Sequence, residues 1–136
     1  MIQEQNANQN NVAEVVSGEL TLSLMEAELV HVIEELRRLQ LERVSIAHWS
    51  GEAEVAVSEL TEVFQCGIKN PLITTSPFRD RLGFGDFYLY AEGVGTQFEF
   101  CHHKELHVIS DDECLLERFF LRWQSLGYVA RRMPLS

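Results

Sequence analysis

Positive charge is scarce in this chain: 11 Lys and Arg stand against 21 Asp and Glu in 136 residues, a formal net charge of −10. That balance repels nucleic-acid backbones and anionic membrane surfaces. No run of 18 apolar residues is present, so no membrane-spanning helix is expected. Met1 to Asn11 lacks a basic start and an apolar core, which argues against a secretory signal and for a cytoplasmic location. The cysteines, Cys66, Cys101 and Cys114, are odd in number and have no framework spacing; free thiols are expected. CxxC, HExxH, GxSxG and P-loop patterns are all missing. Gly83-x-Gly85 lacks a third glycine and precedes a strand pattern rather than a helix, so it is no dinucleotide fingerprint. No cofactor is expected.

What is present is enough apolar material for a core: 46% of residues, with eight Phe and two Trp. The organising stretch runs from Gly85 to Gly127. In Asp86–Glu92, Phe87, Leu89 and Ala91 alternate with Tyr88 and Tyr90, a strand pattern. Gly93-Val94-Gly95 reads as a hairpin loop, and Thr96–His102 returns with Phe98 and Phe100 on one face. After a turn at His103 and Lys104, Glu105–Ile109 reads as a third strand. Ser110-Asp111-Asp112-Glu113 has capping-box form. Leu115, Leu116, Phe119, Phe120, Trp123 and Leu126 then recur at helical spacing up to a Gly127 stop. This stripe is expected to pack on the aromatic face of the preceding strands. Tyr128–Ala130 offers a further edge strand.

Residues 1–19 are read as a flexible polar tail, because Asn, Gln and Glu cannot bury enough apolar surface to offset ordering entropy. A first helix is expected from Ser23, with Leu22, Met25, Leu29, Val32, Leu36 and Leu39 as its stripe. The spacing suits either core packing or a short dimer seam. His31 beside it reads as a solvated or satisfied side chain. Arg43–Trp49 and Glu52–Val57 read as a hairpin, and Ser58–Gln65 as a short helix stopped by Gly67. Gly67 to Gly85 is irregular, with one short strand expected at Leu72–Thr75 and an exposed tip at Arg79, Asp80 and Arg81. The fold class is therefore α+β: an antiparallel sheet of about five strands packed with two main helices and one short helix. Residues 20–136 are read as a single domain.

Charge is also uneven. Residues 1–36 hold acids and no Lys or Arg; residues 118–136 hold Arg118, Arg122, Arg131 and Arg132 and no acid. An acidic surface for a basic partner is one reading, a solubilising face the other. Cys101, His103 and His107 are the metal-capable group, although their spacing forms no recognised motif, so no metal is assigned. Adjacent His102 would point away from Cys101, against a nucleophile–base pair. The bulky aromatics are expected to build an interior that leaves no convergent reactive groups. The tyrosine face is different. Unless the first helix covers it, Tyr88 and Tyr90, with Trp49, Asp86, Glu92, Glu99, Arg79 and Asp80, form a candidate binding surface. A non-catalytic module binding a basic protein partner is thus the expected function. The alternatives are a homodimer or a small metal-dependent enzyme.

Overall fold

Alternation in the strands and helical spacing between them resolve, among the described residues, into one antiparallel sheet with helices on a single side. The computed structural model describes residues 13–48, 51–69 and 75–134. In chain order these form β1 (Ala13–Val16), α1 (Leu22–Arg38), β2 (Arg43–His48), β3 (Gly51–Ala56), α2 (Leu60–Cys66), β4 (Phe87–Ala91), β5 (Thr96–Phe100), β6 (Leu106–Ser110), α3 (Glu113–Ser125) and β7 (Arg131–Pro134). The sheet has seven strands in the order β3-β2-β4-β5-β6-β1-β7. Every neighbouring pair is antiparallel.

The expected hairpin and meander form with the expected facing. Phe87, Leu89, Phe98, Phe100, Leu106 and Val108 are buried on one side of the sheet. The helices meet that side. Phe64 of α2 lies 5.6 Å from Phe87, and Phe119 of α3 lies 5.8 Å from Phe98, ring centre to ring centre. Fully burying one such ring contributes about 1.5–3 kcal/mol. Met25, Leu29, Val32 and Leu36 of α1 lie in the same core, while Leu22 at the start of that seam is exposed.

One strand was not expected and another lies just beyond its expected segment, so about five became seven. Ala13–Val16 lies within the stretch read as a flexible tail. It is instead an interior strand, with Val15 and Val16 fully buried between β6 and β7. Gly18 (φ +82°) turns the chain out of it; a Cβ there would lie 2.5 Å from the Val129 carbonyl oxygen. The last strand begins at Arg131, one residue beyond the expected Tyr128–Ala130 segment. Of the expected short strand at Leu72–Thr75, residues 72–74 lie outside the described residues.

The capping box also differs. Ser110 ends β6, and its hydroxyl is buried against Thr96 Oγ1 (2.8 Å) while accepting from Asp112 N (2.9 Å). Asp112 is the true cap, its Oδ1 accepting from Cys114 N and Leu115 N. Thr21 caps α1 through Leu24 N, so the helix begins just before its expected start at Ser23. Leu126, counted in the stripe of α3, is half exposed.

The charge asymmetry has a structural cause. Acids of α1 meet arginines of α3: Glu35 Oε1 accepts from Arg118 (3.0 Å), and fully buried Glu28 accepts from Arg122 Nη2 (2.9 Å) and Trp123 Nε1 (2.7 Å). Arg131 reaches Glu105, and Arg132 bridges Glu113 and Glu117 of α3.

Candidate functional site

With α1, α2 and α3 on the phenylalanine side, no helix among the described residues covers the opposite face of the sheet. The alternative that α1 covers it fails because the α1 stripe docks beside α3, where His31 meets the ring of Phe119 edge-on. Strand register sets what this face displays. One row reads Ala47, Tyr88, Glu99, His107, Val16; the next reads Ser45, Tyr90, Gln97, Ile109, Glu14. Apart from buried Val16, all are partly exposed.

Tyr88 and Tyr90 stack at 6.2 Å with ring planes 18° apart. Burial, with the charges of Glu99 and Asp86, holds the Tyr88 hydroxyl above its ordinary pKa. Beside the rings is a depression of about 510 Å³ whose lining includes His48, Arg81, Phe84, Asp86 and His102. Phe84 is 76% exposed. The buried Nε of Arg81 has no hydrogen-bond partner among the described residues. Asp86 Oδ1 accepts from the His102 amide (2.6 Å) and pairs with His102 Nδ1 (2.8 Å). Burial pushes the Asp86 carboxyl up, but the two His102 bonds outweigh it and leave the group below its ordinary value.

Glu99 stands directly across from Tyr88 and accepts no hydrogen bond among the described residues. Burial raises its pKa, nearby His107 opposes that, and the charges of Asp86 and Glu14 add to it.

Comparison with protein-family models, curated proteins and solved structures returns no match.

The other expected site residues scatter. Arg79 binds Glu26 of α1 (3.1 Å), on the helical side, and Asp80 is exposed on the same 3-10 turn. Arg81, expected only as part of an exposed tip, lines the depression instead. Phe78 and Leu82 are buried and anchor that turn, which is why it is no free tip. Glu92 is exposed on the turn after β4. Trp49 lies outside the described residues.

Farther along the same face, the metal-capable group is rearranged. Cys101, Glu105 and His107 bring donor atoms within 4.8 Å of one another. His103 is not among them; it is exposed on the β5–β6 turn, its ring 4.0 Å from that of His102. Glu105 takes its place because it pairs with Cys101 across the turn, where the Cys101 amide donates to its carbonyl at 3.0 Å. His107 Nδ1 binds Glu14 Oε2 at 2.6 Å, and Nε2 lies 3.6 Å from Glu105 Oε1. A hydrogen bond with the Cys101 sulfur lifts the His107 pKa, burial opposes it and the Glu14 bond adds to it, bringing it to about 9. A thiol, an imidazole and carboxylates therefore do converge, against expectation. Cys101 is only 4% exposed, so a substrate has no open approach to its sulfur.

Proposed function

We propose that the protein is a non-catalytic binding module whose Tyr88-bearing sheet face receives a basic segment of a protein partner. Glu99 carries the reading: a half-buried carboxylate beside two stacked tyrosines, with no hydrogen-bonded or ion-paired partner among the described residues. A Lys or Arg side chain laid over Tyr88 would meet the ring face and the carboxylate together. Cation–π contact of this kind contributes about 0.5–2 kcal/mol. The net charge of −10 would speed the approach of such a partner.

Self-association through sheet edges has less support. At one edge, β3 exposes Glu52 and Glu54; at the other, β7 carries Arg131, Arg132 and Pro134. Charges and proline at sheet edges oppose edge-to-edge pairing.

The test is calorimetric titration with lysine-rich and arginine-rich peptides, chelator present, at two salt concentrations. Binding that weakens with salt, and weakens at least tenfold in Glu99→Gln and Tyr88→Ser, supports the module. No binding, or binding indifferent to both substitutions, refutes it.

A further inference from the structure

We propose that Cys101, Glu105 and His107 form a binding site for Zn²⁺, with solvent completing the coordination. This goes beyond the binding face and does not depend on it.

Zinc takes thiolate, imidazole and carboxylate ligands at about 2.0–2.3 Å in a tetrahedron, which sets neighbouring donor atoms roughly 3.3–3.6 Å apart. The 3.6 Å between His107 Nε2 and Glu105 Oε1 is already such an edge. All three donors lie within 4.8 Å of one another, so closing the set requires side-chain movements of about 1 Å. The backbone beneath is closed by hydrogen bonds. The Cys101 amide donates to the Glu105 carbonyl, and the Lys104 amide donates back to the Cys101 carbonyl at 3.1 Å, closing a tight turn with Lys104 at φ +63°. Elements fixed in this way hold ligands better than mobile loops do.

The surroundings also fit. Glu14 Oε2 binds His107 Nδ1 at 2.6 Å, the carboxylate–histidine arrangement that orients a metal-bound imidazole and raises its basicity. Arg131 holds the other oxygen of Glu105 at 3.1 Å, leaving Oε1 toward His107. A thiolate with an imidazole selects zinc over magnesium or calcium, which prefer all-oxygen ligands. The side chains of Glu105 and His107 are 20% and 19% exposed, so the donor set reaches solvent on their side.

The probes are Zn²⁺ and Co²⁺ alone, added to full-length protein carrying Cys66→Ser and Cys114→Ser, because both of those thiols are exposed. One equivalent should bind, and cobalt should give a thiolate-to-metal charge-transfer absorption. Cys101→Ser should abolish that absorption. Glu105→Gln should weaken zinc binding at least tenfold with an unchanged circular dichroism spectrum. Glu14→Gln should weaken it about 10–100-fold while the absorption persists. The proposal is overturned by no stoichiometric binding, by bound cobalt without the sulfur band, or by a band that survives Cys101→Ser. Should Cys101→Ser fail to fold, Glu105→Gln decides, and unchanged affinity there overturns the site.

Discussion

Replacing Glu28 by alanine perturbs the contact that joins α1 to α3. Its carboxylate is fully buried and accepts from Trp123 Nε1 at 2.7 Å, from Arg122 Nε and Nη2 at 3.2 and 2.9 Å, and from Tyr128 Oη at 3.4 Å. Removing one member of a buried ion pair costs about 3–5 kcal/mol. Arg122 is 32% exposed and can turn toward water, which lowers the cost; Trp123 is fully buried and cannot. Its stranded indole N–H alone costs about 1–3 kcal/mol. The expected loss for Glu28→Ala is therefore about 3 kcal/mol. Glu28→Gln keeps an acceptor for the indole and should lose about half of that. In urea, with a slope of about 2 kcal/mol/M, the alanine variant should unfold about 1.5 M earlier with an unchanged slope. Arg122→Met should add less on top of Glu28→Ala than it costs alone, because the partners share one network. A Glu28→Ala midpoint within the error of the parent would refute this account of how the two helices are joined.

Asp112→Ala should destabilise by about 0.5–2 kcal/mol in thermal or urea unfolding, and Glu113→Gln by much less, because Asp112 rather than the Ser110–Glu113 pair caps α3. Gly18→Ala should cost on the order of 2 kcal/mol, because φ +82° and the Val129 carbonyl both oppose a side chain there; an unchanged melting temperature would place β1 outside the sheet. The Asp86 carboxyl sits below its ordinary value of 3.8, so its contribution is present above that pH and lost as pH falls through the folded value. Asp86→Asn should accordingly remove part of the acid-limb slope in stability measured from pH 6 to about pH 2.

Local pattern made much of the fold legible. Phe87, Leu89, Phe98 and Phe100 alternate plainly, and the α3 stripe from Leu115 to Trp123 has one reading only. Ala13–Val16 escaped because four residues next to an Asn-rich run carry too little periodicity. What orders them is pairing with His107–Ser110, more than ninety residues away in sequence. Ser110-x-x-Glu113 satisfied the capping pattern, yet Ser110 faces inward to Thr96, and sequence spacing does not encode that direction. The uneven charge was visible; that Glu28 and Glu35 would meet Arg122 and Arg118 was not, because helix pairing is a tertiary event. At the candidate site, Tyr88, Tyr90, Asp86 and Glu99 were legible from alternation. The Glu14–His107–Glu105 contacts were not, since Glu14 lies in a stretch whose composition is that of a polar tail.

Nuclear magnetic resonance of isotope-labelled protein titrated with a lysine-rich peptide tests most directly whether the sheet face bearing Tyr88 and Glu99 is the working surface. The account predicts that shifted amide signals cluster at Ala47, Tyr88, Tyr90, Gln97 and Glu99, while α1 and α3 stay unchanged. Shifts confined to the outer surfaces of α1 and α3, with the β4 and β5 signals still, would contradict it.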